Sequence, residues 1–262
     1  MLAIRTITID LDDTLWAIRP VIERAERKLY DWLSEEYPRV TELFSQDEIS
    51  HLRENIIFEY PGKSHDFTFL RRAVLGRLGA AAGYGVEIVD RAMAVFSLLR
   101  NDVEVFPEVR PTLTALGRNY CVIAVTNGNA NLDRIGIRDL FHHVVSASAV
   151  GAAKPAREIF DVAVDKGRAC AQETLHVGDH PEVDVAGARD AGLKSWAIDD
   201  FVWHKFKDSS GRLVERRERS EKIARRWGEE FMAEFRPSAE YVEEKWRRYL
   251  PFQTTSWTWD AD

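Results

Sequence analysis

The sequence predicts a doubly wound α/β fold. A parallel sheet carries helices on both faces, is interrupted after its first strand by an all-helical insertion, and is followed by a helical C-terminal extension. Three features carry that expectation. Short strand-like stretches occur at 7–9, 121–125 and 174–177, the second apolar throughout, and each ends in a polar cluster, as strands of a buried parallel sheet do. Helical spacing of apolar residues alternates with such runs from about residue 104, which is the pattern of βαβ units. Between 16 and 103 no comparable strand run occurs. The expected division is therefore 1–15 with 104–200 for the α/β core, 16–103 for the helical insertion and 201–262 for the extension.

Each element has its own signal. Residues 7–9 are β-branched and lead into the acidic stretch Asp10 to Asp13. Over 19–37, Val21, Ile22, Ala25, Leu29, Trp32 and Leu33 fall on one helical face. Further helices are predicted over 46–58, 67–78 and 86–100, with breaks at Tyr60-Pro61-Gly62 and 79–85. A helix over 107–116 precedes the strand at 121–125, which runs into Thr126-Asn127-Gly128-Asn129. A short helix near 131–135, a strand near 143–148, Lys154-Pro155 and a helix over 156–165 come next. The strand at 174–177 closes in Gly178-Asp179-His180-Pro181, and Pro181 suits the first turn of the following helix. A last strand is expected over 194–198. Beyond 200, amphipathic helices are expected over 215–235 and 239–250, with arginines and glutamates interleaved on a solvated face.

Composition narrows the function. The 262 residues are 45% hydrophobic, enough for a packed core. A formal net charge of −7 argues against nucleic acid as a partner. No apolar run approaches the ~20 residues of a membrane span, and the N-terminus has no signal-peptide pattern. Two cysteines, Cys121 and Cys170, do not make a disulfide framework. A cytoplasmic protein without membrane partners is expected.

The chemistry is expected at the strand ends, because ligands of such sheets bind beyond the carboxyl ends of the strands. In an extended chain Asp10 and Asp12 project to one side. Neighbouring carboxylates repel, and a cation between them is one remedy. An all-oxygen site of this kind suits Mg²⁺. Two decoys fail. Gly62-Lys63-Ser64 lacks the upstream glycine and strand of a phosphate-binding loop. Asp10-x-Asp12 lacks the glycine and the bidentate acid of a calcium loop.

Four clusters stand in order: Asp10-x-Asp12-x-Thr14, Thr126-Asn127, Lys154-Pro155, and Gly178-Asp179 followed by Asp184. Together they resemble the four motifs of the haloacid dehalogenase superfamily, over roughly residues 1–200. The resemblance implies a Mg²⁺-dependent phosphatase acting on a small phosphorylated metabolite. It assigns Asp10 as nucleophile, forming an aspartyl-phosphate, and Asp12 as general acid/base. Thr126 and Asn127 would bind the phosphoryl group, with Lys154 supplying a fixed positive charge. The metal would be held by Asp10, Asp179 and the backbone carbonyl of Asp12, with Asp184 supporting Lys154 or ordered water. Asp13 and Thr14 would shape the loop. The insertion resembles a class I cap that closes over substrate. An aspartate at position 12 favours phosphate chemistry over dehalogenation, since a departing halide needs no proton.

A narrower resemblance, carried by Asp10 to Trp16, Arg19-Pro20-Val21-Ile22, Thr126 to Ala130 and Leu175 to Asp179, is to the YigB-type phosphatases. It implies flavin mononucleotide or a phosphorylated riboflavin precursor as substrate, with Trp16 and Arg19 as candidate substrate contacts. His180 departs from that group's usual Gly-Asp-Asp. Alternatives on the same fold are a phosphomutase or phosphonate hydrolase, for which Lys63 is the candidate Schiff-base lysine, and a non-catalytic regulatory protein.

Overall fold

A computed structural model of the chain describes residues 3–197, 201–207 and 213–219. Five strands, β1 (Thr6–Ile9), β2 (Cys121–Thr126), β3 (His143–Ser146), β4 (Thr174–Gly178) and β5 (Lys194–Ala197), form one parallel sheet in the order β3-β2-β1-β4-β5. The first strand is thus the middle of the sheet. Ile9 lies level with Ala124 on one side and Val177 on the other. The chain winds one way from β1 to β2 and β3, then crosses back to β4 and β5. The switch point, where α/β sheets open a crevice, falls between β1 and β4.

Period-2 alternation divides the apolar residues between two faces. Ile7, Ile9, Val122, Ala124, Leu175 and Val177 pack with Phe106, Leu113 and Leu116. Ile123, Val125 and Val145 pack with Ile159, Phe160 and Ala163 on the opposite face. The covering helices include α6 (Val109–Leu116) and α9 (Arg157–Gly167).

Between β1 and β2 lies the helical insertion, built from α1 (Ile18–Glu36), α2 (Pro38–Leu43), α3 (Gln46–Glu59), α4 (Phe67–Ala81) and α5 (Glu87–Arg100). It has a core of its own. Ala25, Leu29 and Leu33 of α1 meet Leu70, Val74 and Leu78 of α4 and Ile88, Ala92 and Phe96 of α5. Helix α3 starts in a capping box, with Ser45 Oγ accepting from the Glu48 amide and the Glu48 carboxylate accepting from the Ser45 amide. The insertion leaves the sheet once and returns once. The two crossing segments are joined where the Phe106 amide donates to the Leu15 carbonyl at 2.9 Å.

Short helices α7 (Leu132–Ile135), α8 (Ala147–Val150) and α10 (Gly187–Asp190) complete the core, with α10 preceded by a wide helical turn over Pro181–Ala186. Among the described residues no helix is long and apolar enough to cross a membrane.

The extension departs from expectation where it is described. A helix was expected from Glu215, but Leu213–Arg219 is a strand, β7, paired antiparallel with β6 (Phe201–Lys207). The physical signal is local: Asp208-Ser209-Ser210-Gly211 is a turn sequence between two runs containing β-branched and aromatic residues. The rest of the expected helix to 235, and the one over 239–250, lie outside the described residues.

Candidate active site

The strand ends deliver the polar clusters to one crevice. Asp10 follows β1 directly, its amide donating to the Val177 carbonyl of β4 at 2.9 Å, and it is buried. Lys154 reaches it from the loop before α9. Its Nζ donates to Asp10 Oδ1 at 2.5 Å and to Asp184 Oδ1 at 2.6 Å. Asn127 fixes the backbone that carries this lysine. Its Oδ1 accepts from the Lys154 amide at 2.7 Å, and its Nδ2 donates to the Lys154 carbonyl at 2.9 Å. The Asn127 side chain is therefore committed to the loop. Thr126, at the end of β2, is buried, and its hydroxyl accepts from the Gly128 amide at 2.8 Å.

Asp184 is the hub behind the lysine. Besides Lys154, it faces His176 Nε2 at 3.1 Å and accepts from the His180 amide at 3.0 Å. His176 Nδ1 meets Thr8 Oγ at 2.8 Å. Burial holds the His176 pKa below the ordinary histidine value. The imidazole is therefore neutral, Nε2–H donates to Asp184, and Nδ1 accepts from Thr8. Gly178 allows the close approach, since a Cβ there would stand 2.4 Å from Asp184 Cγ. His180 caps the following turn, its Nδ1 accepting from the Glu182 and Val183 amides.

Asp10, Asp179 and Asp184 place carboxylate oxygens within 4.8 Å of one another. The Thr14 hydroxyl lies between Asp10 Oδ2 (3.2 Å) and Asp179 Oδ1 (3.3 Å). Burial, reinforced by Asp184 and Asp179, pushes the Asp10 pKa well up despite Lys154. Burial also works against charge on Lys154 and Asp184, yet their attraction outweighs it. Lys154 is held above its ordinary value and Asp184 below the carboxylate range. A divalent cation beside Asp10 and Asp179 would offset the crowding that Lys154 alone does not. The donor set is all oxygen, which suits a hard ion. Asp184 is already engaged by Lys154, His176 and the His180 amide.

Asp12 stands apart. Asp10 and Asp12 line the same cavity, with Leu11 between them in the core, but their carboxylates do not share one cluster that would bracket a cation. Asp13 has a left-handed φ of 63°, turning the chain. The Asp12 carboxylate is outside the acidic cluster. Its Oδ1 accepts from Trp16 Nε1 at 2.9 Å, and Arg100 Nη2 donates to both oxygens at 2.9 and 2.8 Å. Arg100, the last residue of α5, is buried and was not anticipated. A basic residue in the last turn of a helix reads as a complement to the helix dipole, and nothing in the sequence joins it to Asp12.

A cavity of about 590 Å³ opens above these groups. Asp10, Asp12, Thr126, Asn127, Lys154, Asp179 and Asp184 all line it, while the insertion contributes Ile18, Ile22, Phe67, Phe96, Arg71 and Arg100. The two expected substrate contacts are not brought to it. Trp16 is 0% exposed, its ring in the core and its N–H spent on Asp12. The Arg19 side chain points to solvent and pairs with Glu23.

Comparison with known proteins agrees with this geometry. A family model described as haloacid dehalogenase-like hydrolase matches residues 4–192. The 5-amino-6-(5-phospho-D-ribitylamino)uracil phosphatase YigB of Escherichia coli K12 is 32% identical over 73% of this chain and 82% of its own. The glyceraldehyde 3-phosphate phosphatase of Methanopyrus kandleri is 30% identical over 72% of this chain and 82% of its own. A crystal structure described as 2-haloacid dehalogenase from Pseudomonas syringae pv. Tomato DC3000 superposes with a TM-score of 0.71 at 36% identity, covering 75% of this chain and 87% of that one.

Proposed function

The chain belongs to the haloacid dehalogenase-like hydrolase family, and from that premise we propose that it is a Mg²⁺-dependent phosphatase working through an aspartyl-phosphate on Asp10. The observation that carries the reading is Asp12. It is a carboxylate held at the cavity wall beside the Thr126–Gly128 loop, where an ester oxygen leaving from a phosphoryl group on Asp10 would need a proton. Halide departure needs none, so the likeness to a structure described as a dehalogenase does not carry the chemistry across.

In the first half-reaction an Asp10 carboxylate oxygen attacks phosphorus, the P–O bond to the alcohol breaks, and Asp12 protonates the departing oxygen. Lys154 offsets the phosphoryl charge, and the Thr126 hydroxyl with the Asn127 amide binds a phosphoryl oxygen. In the second, water attacks phosphorus, its proton goes to Asp12, and phosphate leaves with Asp10 restored. Asp10 and Asp179, with the Asp12 carbonyl, would hold Mg²⁺, which when bound supplies charge neutralisation to the phosphoryl oxygens. The helical insertion acts as the cap, excluding water from the cavity.

The substrate is a small phosphorylated metabolite, with flavin mononucleotide or a phosphorylated riboflavin precursor as the specific proposal. The YigB relative supports it, as do Ile18, Ile22, Phe67 and Phe96, which give the cap side of the cavity an apolar wall suited to a planar ring. Hydrolysis of p-nitrophenyl phosphate with Mg²⁺ is expected, lost on chelation, and abolished in Asp10→Asn; full activity in that variant would overturn the covalent route. On a panel of phosphates, flavin mononucleotide is expected to exceed glyceraldehyde 3-phosphate in kcat/KM, and the reverse order would sink the flavin reading.

A further inference from the structure

We infer that Arg100 is a positioning residue for the reaction, aiming Asp12 at the leaving group and making that aim depend on the seating of the helical insertion. The inference rests on the proposed acid role of Asp12 and extends it to a residue outside the four sequence motifs.

The geometry separates the two oxygens of Asp12. Oδ1 accepts from both Trp16 Nε1 and Arg100 Nη2, whereas Oδ2 accepts from Arg100 alone. A carboxylate oxygen has two acceptor sites, so Oδ2 is the atom with room for a proton. Oδ2 is also the oxygen nearest the loop proposed to bind the phosphoryl group. It lies over Gly128, two residues past Thr126, so closely that a Cβ on Gly128 would stand 2.4 Å from it and 3.2 Å from Arg100 Nη2. Trp16 and Arg100 together fix which oxygen points there.

Arg100 belongs to the insertion and Asp12 to the sheet end, 88 residues apart in sequence. Arg100 Nε donates to Asn129 Oδ1 at 3.0 Å, and Asn129 Nδ2 donates to Thr68 Oγ at 3.2 Å on α4. A line of hydrogen bonds thus runs from Asp12 through Arg100 and the loop after β2 back into the insertion. The guanidinium is 3% exposed, with Nη2 between the two Asp12 oxygens and Nε on Asn129.

A positioning role and a merely structural one differ in their dependence on the leaving group. p-Nitrophenolate departs as a stable anion and needs little acid help, while an alkoxide needs the Asp12 proton as its P–O bond breaks. kcat/KM covers the steps up to that departure, so hydrolysis of the aspartyl-phosphate does not enter it. The measurement is the ratio of kcat/KM on p-nitrophenyl phosphate to that on the alkyl phosphate the wild type turns over fastest, with Mg²⁺ present. General acid help is worth about 10²–10⁴, so Asp12→Asn should raise the ratio about 100-fold. Arg100→Gln should raise it at least about tenfold, and the double variant should go no further than Asp12→Asn. Arg100→Lys keeps the charge without the fork and should raise the ratio in the same direction, so a glutamine variant that fails to fold leaves the measurement intact. Equal losses on both substrates in the Arg100 variants, with Asp12→Asn still selective, would overturn the inference and leave the acid role standing. An unchanged ratio in Asp12→Asn would remove the acid role and the inference with it.

Discussion

Asp10 and Asp12 are two residues apart and are held by different parts of the molecule. The hydrogen bonds that hold the Asp10 side chain come from the α/β core, from Lys154 in the loop before α9 and Thr14 in the loop after β1, with Asp179 at the end of β4 close by. Behind them Asp184, His176 and Thr8 continue the network across β4 and β1. Asp12 is held by Trp16 beside it and by Arg100 at the far end of the insertion. Strand register fixes the first carboxylate before any substrate arrives. The second is set only when five helices have folded and seated. Such a division lets one site be rigid where charge must be stabilised and adjustable where the leaving group varies.

The largest expected effect lies on the rigid side. Lys154→Met leaves Asp10, Asp179 and Asp184 crowded without their cation, and breaking a buried ion pair costs about 3–5 kcal/mol. Activity should vanish and chemical denaturation should show a loss of that order; a variant as stable as wild type would mean the cluster is less desolvated than it looks. On the adjustable side, Gly128→Ala pushes a methyl against Asp12 Oδ2. Turnover of alkyl phosphates should fall about 100-fold, within the range of lost general acid help, with a much smaller change in stability. A stability loss as large as that of Lys154→Met would blur the distinction between the two carboxylates.

A pH experiment sharpens the comparison without touching the Asp12 seam. His176 is neutral in the fold, with its pKa below the ordinary 6.5, first through burial. Unfolded, it takes a proton as pH falls through 6.5, so the unfolded state binds more protons there. Its contribution to stability is present above that pH and is lost progressively below it, by up to about 1.4 kcal/mol per pH unit. Urea unfolding between pH 5 and 7.5 should show a shallower slope in His176→Gln than in wild type; equal slopes would mean that folding leaves the titration of the ring unshifted. The smallest effect is expected from Ser45→Ala, which removes the cap of α3 at a cost of about 1 kcal/mol. The thermal midpoint should drop by about 2–4 °C. The leaving-group ratio should stay put, because the Asp12 seam is set by α5 and not by the overall stability of the insertion.

What the sequence made legible follows the same line. The apolar run at 121–125 and the shorter stretch at 174–177 mark their strands, and Thr126 and Asp179 stand at or just beyond the strand ends, where ligands of such sheets bind. Lys154 and Asp184 were readable from the order of motifs. Arg100 was not, because its partner lies 88 residues away and only the closure of the insertion joins them. Trp16 misled for a related reason. An aromatic ring beside a site invites a stacking role, yet its N–H had the Asp12 carboxylate to serve. The Asp10–Asp12 alternation leads both residues to one cavity but could not show that Trp16 and Arg100 claim the second carboxylate, and β7 was hidden by an Arg/Glu pattern that suits an exposed helix face as well as a strand.

The insertion departs from the sheet once and returns once, and the two crossing segments are stitched together at Leu15 and Phe106. Considered as heritable material, that makes it a cassette. Recombination between relatives could exchange the whole helical unit, and with it one wall of the cavity, while Asp10, Lys154, Asp179 and Asp184 keep their neighbours. One condition travels with the exchange: the incoming unit must end in a side chain able to take hold of Asp12. Lineages that acquire a new wall without that grip would be expected to drift toward esters whose alcohols leave unaided.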